Sequence, residues 1–290
     1  MWHARLGHVN IHSLKKMVKM NILSKLDITN FNKCEIFVEA KHAKPHFQNV
    51  SNRKTELLEL IHTDLADFRN IESKGGKHYY ITFVDDFSRY KKVYLIRTKD
   101  EAENFFLIYK AEVENQLDRR LKWLRSDRGG EYGSNFLKEV CEKNDIIHET
   151  SAPYFPQHNG ITERKNRTLK EMMNSLLISS GLSDNMWGDA ILSANHILNC
   201  VPHRKLDHTS YELWKGYATN LQYLKVWGCL AKVGLPDFKK STIGSKTIDA
   251  VFIGYASNSS AYQFMILHDY SICESRDVVF FENIFPLKKT

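Results

Sequence analysis

Three acidic residues stand where metal-assisted chemistry on phosphate esters would need them. Asp64 closes the apolar run Leu60-Ile-His-Thr-Asp64. Asp127 lies in Leu124-Arg-Ser-Asp-Arg-Gly-Gly-Glu-Tyr132, where a strand pattern runs into a turn loosened by two glycines. Glu163 follows Pro156-Gln-His-Asn-Gly160, near the start of a helical pattern that Asn159 can cap, with 35 residues between it and Asp127. Hard divalent cations prefer oxygen ligands, so a few carboxylates, water and a substrate phosphate suit Mg²⁺ or Mn²⁺. Two such ions about 3.5–4 Å apart can activate an attacking oxygen and stabilise a leaving one. Beside Glu163 stand Arg164, Lys165, Arg167 and Lys170. On a helix, Arg167 and Lys170 share the face of Glu163, at i+4 and i+7. Together with Asn159 they are candidate contacts for nucleic-acid phosphates. The plainer reading is a solvated basic surface with an internal Glu163–Arg167 pair.

These carboxylates need a rigid frame. Runs rich in Ile, Val, Tyr and Phe predict strands at 57–65, 78–87 and 90–96, with a Ser73-Lys-Gly-Gly76 turn. Ala102, Phe105, Phe106, Tyr109 and Val113 recur at i, i+3, i+4, i+7 and i+11, one apolar helix stripe. A strand (121–125), a helix (135–143), a strand (146–149) and a long helix (159–180) follow. Three antiparallel strands and then alternating helix and strand predict an α/β fold with a mixed sheet and helices packed on it. A further helix spans 187–198, and short strands at 226–233, 250–254, 262–267 and 275–281 predict a small β-barrel-like module. The expected division is a small N-terminal helical module (1–47), a catalytic core (55–181), a helical extension (182–220) and a β-rich module (221–290).

Composition sets outer bounds. A hydrophobic fraction of 42% and a charged fraction of 26% are those of a folding globular chain, and the net charge of +7 favours polyanionic partners. Five scattered cysteines form no C-x-x-C pair, which argues against a disulfide scaffold and for a reducing, intracellular setting, in nucleus and cytoplasm. No apolar run approaches the roughly 18 residues of a membrane span, so no membrane partner is expected.

The segments His62-Thr-Asp64, Ser126-Asp-Arg-Gly-Gly-Glu-Tyr132, Pro156-Gln-His-Asn-Gly160 and Glu163-Arg-Lys-Asn-Arg-Thr168 resemble the integrase of copia-type LTR retrotransposons, and the likeness covers nearly the whole chain. The resemblance implies a ribonuclease H-like core in which Asp64, Asp127 and Glu163 hold Mg²⁺ or Mn²⁺. It also implies an enzyme that processes the 3′ ends of element DNA, joins them to target DNA, and works as a homo-oligomer. His3, His8 and Cys34 resemble zinc ligands of the module that precedes this core. Phe37 stands where the family places a fourth ligand, a cysteine, so water, His42 or His46 would have to replace it. Phe83-Val-Asp-Asp86 is similar to a reverse-transcriptase motif, but its place on an early strand assigns it a structural role. Two alternatives share the fold: an inactive, element-derived remnant that only binds nucleic acid, and a ribonuclease H-type nuclease.

Overall fold

A computed structural model describes residues 54–68, 71–126, 135–150, 160–202, 208–218, 220–236 and 242–288, and also Lys15, Val18 and Lys19; at 135–136 and 160–163 it describes the backbone alone. The chain divides into two compact units, Met1–Asn52 and Arg53–Thr290. In the first, Lys15, Val18 and Lys19 are helical. His3, His8, Cys34 and Phe37 lie outside the described residues, as do Asp127 and Asn159.

The second unit opens with a five-stranded mixed sheet. Strands β1 (Leu60–Asp67), β2 (Tyr79–Asp85) and β3 (Lys91–Ile96) form an antiparallel meander. Strands β4 (Trp123–Ser126) and β5 (Ile147–Thr150) add in parallel on the other side of β1, so the order is β3-β2-β1-β4-β5 with β1 at the centre. This is the ribonuclease H-like arrangement expected from the sequence.

Helix α1 (Ala102–Leu117) lays Phe106, Tyr109 and Val113 on one face of that sheet, where the Tyr109 ring stacks on Phe83 at 4.3 Å. Buried Leu137 and Cys141 of α2 (Asn135–Lys143) join the same core. Leu169, Met173 and Leu177 of α3 (Gly160–Ser180) and Trp187, Ala190, Ile191 and Ala194 of α4 (Trp187–Cys200) belong to a second core with Tyr80 and Val93 of the sheet.

The remaining chain forms a short helix α5 (Ser210–Lys215), started by a Thr209–Glu212 capping box and closed by Gly216 at φ 80°. An antiparallel sheet of β6 (Leu230–Gly234), β7 (Thr247–Tyr255), β8 (Tyr262–Ile266), β9 (Ile272–Ser275) and β10 (Val278–Phe281) follows, in the order β10-β6-β7-β8-β9. A register shift between Phe252 and Gly254 interrupts the β7–β8 pairing. The inward residues Trp227, Phe252 and Phe264 share the core that Tyr80 and Trp187 help to build.

Candidate active site

Asp64 sits on β1, the central strand, which pairs with β4 through His62 and with β2 along its length, Asp64 lying opposite Thr82. A strand so held has little freedom to shift, and that makes it a good mount for a ligand. The Thr82 hydroxyl donates to the Asp64 carbonyl at 3.2 Å. From α3, the Asn166 side-chain amide donates to Asp64 Oδ2 at 2.6 Å and to Thr82 Oγ1 at 3.4 Å. Asn166 is only 5% exposed, so its amide cannot trade these partners for water. Glu163 precedes Asn166 by about one turn on the same helix, and that helix contacts β1. Strand β4 runs parallel to β1 and ends at Ser126, directly before Asp127. Ser126 is buried, 2.9 Å from His148 Nε2 on β5.

Asn166 also accepts a hydrogen bond, at 3.3 Å, from the ammonium of Lys91 on β3. Lys91 is 3% exposed. Burial, together with the neighbouring charge of Lys165, pushes its ammonium down to about 7 against the opposing pull of Asp64. Neither Lys91 nor Asn166 announces itself in the sequence, because the Lys91-Lys92 pair at the start of a strand reads as a solvent-facing position. The available signal was spacing: Asn166 lies one helical turn beyond Glu163.

The basic residues beside Glu163 separate into two groups. Arg164, Arg167 and Lys170 are exposed on α3, with Arg167 Nε 3.9 Å from Glu171 and Lys170 Nζ 5.3 Å from the Phe68 ring centroid. Lys165 is half-buried, and burial with the charge of Arg89 pushes its ammonium down to about 8.

The acidic pair of the Phe83-Val-Asp-Asp86 segment is consumed by the fold. Asp85 accepts from the backbone N–H of Leu58 at 3.0 Å, the N–H of Ser88 at 2.7 Å and the Ser88 hydroxyl at 2.7 Å, closing the β2–β3 turn onto the entry to β1. Asp86 accepts from Arg89 Nη1 at 2.7 Å and from the Lys54 N–H at 3.0 Å, and its Oδ1 lies 3.0 Å from Nε2 of fully buried His62. An ionised carboxylate accepts only, so His62 carries its proton on Nε2. Burial alone would raise the Asp86 carboxyl, but the His62 hydrogen bond, the Arg89 charge and the Lys54 N–H hold it well below the usual carboxylate range.

Among the described residues no group of three or more His, Cys, Asp or Glu side chains could hold an ion, and Asp127 and the Glu163 side chain stand outside that set. Asp64 itself fits a hard cation: it is an oxygen donor on a fixed strand, oriented by a neutral amide. A cleft of about 1000 Å³, lined by Tyr211, Tyr217, Tyr223 and Tyr255 among others, includes none of the residues nominated from sequence. No helix among the described residues is long and apolar enough to cross a membrane.

Comparison with known proteins adds three family matches: the GAG-pre-integrase domain over residues 1–42, the integrase core domain over 55–156 and the retroviral polymerase SH3-like domain over 229–290. The retrovirus-related Pol polyprotein from transposon TNT 1-94 of Nicotiana tabacum is 36% identical over 284 residues, 98% of this chain and 21% of that protein. The Pol polyprotein from transposon RE2 of Arabidopsis thaliana is 31% identical over 292 residues, 100% of this chain and 20% of that protein. The chain thus spans about a fifth of the length of these relatives. Among solved structures, the HTLV-2 integrase catalytic core domain in complex with magnesium, a trimeric form, is 21% identical with a TM-score of 0.43, covering 56% of this chain and 99% of that one.

Proposed function

Because the chain belongs to the integrase segment of copia-type retrotransposon Pol polyproteins, we propose that it trims the 3′ ends of element DNA and joins them to target DNA. The observation that carries this reading is the Asn166–Asp64 hydrogen bond, which ties the helix bearing Glu163 to the strand bearing Asp64. Asp64, Asp127 and Glu163 would hold Mg²⁺ or Mn²⁺. When bound, such a pair of ions lowers the cost of charge on the attacking and leaving oxygens.

The chain's own groups do the positioning. Asn166 fixes the Asp64 carboxylate through one of its oxygens, so the carboxylate need not reorganise as charge develops on the phosphate. Exposed Arg164, Arg167 and Lys170 offer phosphate contacts along α3, setting the DNA backbone beside Glu163. Half-buried Lys165 adds to the positive charge of this helix. Processing needs water as nucleophile and joining needs the freed 3′-hydroxyl, and neither requires a covalent enzyme intermediate. Two DNA ends meeting one target also call for a homo-oligomer.

The test is Mn²⁺-dependent joining of labelled element-end DNA to a plasmid, with Asp127→Asn and Glu163→Gln as controls. Joining by the parent chain that disappears in both variants is the expected result. Folded, DNA-binding parent protein that joins nothing would favour the alternative, an element-derived chain that retains DNA binding alone.

A further inference from the structure

We propose that Lys91 is a positioning residue that sets the Asn166 amide and, through it, the Asp64 carboxylate; this deepens the integrase reading and rests on Asp64 being part of that site. Lys91 opens β3, the outer strand of the first sheet, where its backbone polar groups face away from β2. Two asparagines one turn apart on α4 take those groups up. The Lys91 N–H donates to Asn199 Oδ1 at 2.9 Å, and its carbonyl accepts from Asn195 Nδ2 at 3.0 Å and from Asn199 Nδ2 at 2.8 Å. Both asparagines are buried, so the clamp is shielded from competing water.

With its backbone clamped, Lys91 delivers its ammonium inward to Asn166 Oδ1 at 3.3 Å. An ammonium has only donors, whereas an amide has one accepting and one donating end. The oxygen of Asn166 therefore turns to Lys91, and the nitrogen turns to Asp64 Oδ2, 2.6 Å away. Lys91 is the partner of that oxygen among the described residues. An apolar group at 91 would strand a buried acceptor, and the Asn166 side chain would leave its rotamer to regain a partner. The chain of contacts runs from α4 through β3 and α3 to β1, linking the helical extension to the carboxylate.

Lys91→Met roughly keeps the length and volume of the side chain and removes the ammonium together with the cost of burying its charge, which offsets part of the loss from the stranded Asn166 acceptor. The first readout needs neither metal nor DNA: hydrogen exchange of the Asn166 side-chain amide, followed by NMR on asparagine-labelled full-length chain. The expected result is exchange at least about tenfold faster in Lys91→Met, with β2 and β3 backbone amides within about twofold of the parent. Unchanged Asn166 exchange overturns the proposal. Lys91→Gln, which retains a donor, is the second variant and should exchange at an intermediate rate; a Lys91→Gln rate equal to that of Lys91→Met also counts against the proposal.

In the joining assay, Lys91→Met should lower kcat about tenfold while KM for DNA ends stays within twofold, and it should add nothing in an Asn166→Ala background. An undiminished Lys91 effect in that background would mean that Lys91 does not act through Asn166. If the parent chain joins no DNA, the integrase reading fails, and the exchange measurement still decides whether Lys91 sets Asn166.

Discussion

Replacing Asp86 with alanine should damage stability rather than chemistry, and the structure sets the size of the loss. The carboxylate serves His62 Nε2 at 3.0 Å, Arg89 Nη1 at 2.7 Å and the Lys54 N–H at 3.0 Å. Truncation strands His62, which is 0% exposed, while the Arg89 side chain, 15% exposed, can swing partly to water. A buried donor left unsatisfied costs about 1–3 kcal/mol, and breaking a buried charged pair about 3–5 kcal/mol. With Arg89 relieved by solvent, the total is about 3–5 kcal/mol, or on the order of 10 °C in Tm for a unit of this size. Urea unfolding followed by tryptophan fluorescence measures it, with Asp86→Asn as a control that keeps one acceptor and should lose about half as much. The pH dependence carries a sign. The carboxyl is held below its unfolded value of 3.8, so its contribution is full above about pH 4 and is lost as pH falls below that toward the folded pKa. The Asp86→Ala deficit should therefore stay constant between about pH 5 and 8 and shrink in acid. If Asp86→Ala unfolds within about 0.5 kcal/mol of the parent yet abolishes DNA joining, the carboxylate acts on substrate and the structural assignment is wrong.

Burial pushes the Asp189 carboxyl up to about 6 from 3.8, so the folded state keeps its proton to higher pH than the unfolded chain. The cost of burying its charge is absent below about pH 4 and complete above about pH 6, so Asp189→Asn should match the parent at low pH and gain up to about 3 kcal/mol at pH 8 in thermal melts. Gly228 has φ +84°, and a Cβ there would lie 2.1 Å from Ser180 Cβ, so Gly228→Ala should cost about 2 kcal/mol or more in urea unfolding. Replacing Arg164, Arg167 and Lys170 together with glutamine should weaken DNA binding across sequences and lower the log–log salt slope by roughly 2–3, read by fluorescence anisotropy across salt concentrations. If His3, His8 and Cys34 hold zinc as their resemblance implies, Phe37→Cys supplies a fourth ligand and should tighten that binding by at least about tenfold in chelator competition.

The frame of the first sheet was readable because its strands carry their own signal. Tyr80, Ile81, Phe83 and Val84, interrupted only by Thr82, form a nearly continuous apolar run that suits a strand buried on both faces, and the stripe of α1 appears at helical spacing. Errors fall where a long-range contact overrides the local pattern. The first strand was expected from Leu57, yet Leu58 takes φ 60° and donates to Asp85, 27 residues away, so β1 begins only at Leu60. Of the strand expected over 275–281 only Val278–Phe281, β10, forms; Ser275 instead ends β9, which was not expected, because its side chain bonds both the N–H and the carbonyl of Asp277 and makes a turn there. Helix α5 was missed although Thr209, Glu212 and Gly216 spell a start and a stop, since six residues are too few for an apolar period to register. At the site, Asp64 was expected at the end of an apolar strand, whereas β1 runs on through it to Asp67. Asn166, Lys91, Asn195 and Asn199 did not stand out, since their roles come from contacts 75 to 108 residues apart in the chain.

Those distant contacts explain why the segment after Gly181 belongs with the site. Helix α4 packs on β3 with Asn195 and Asn199 and on β7 with Ser193, whose hydroxyl donates to the Ile253 carbonyl at 3.1 Å. Trp227 Nε1 donates to the same carbonyl at 2.7 Å, satisfying a group that the irregular β7–β8 pairing would otherwise leave in an apolar core. Tyr80 and Val93 of the first sheet and Phe252 and Phe264 of the second lie in one hydrophobic core. One face of the Asp64 sheet is thus closed by α1 and α2, the other by α3, α4 and the β module behind them. A sheet buried on one face alone would expose Tyr80 and Val93 and lose the clamp on Lys91, so the module's first contribution to the carboxylate site is mechanical.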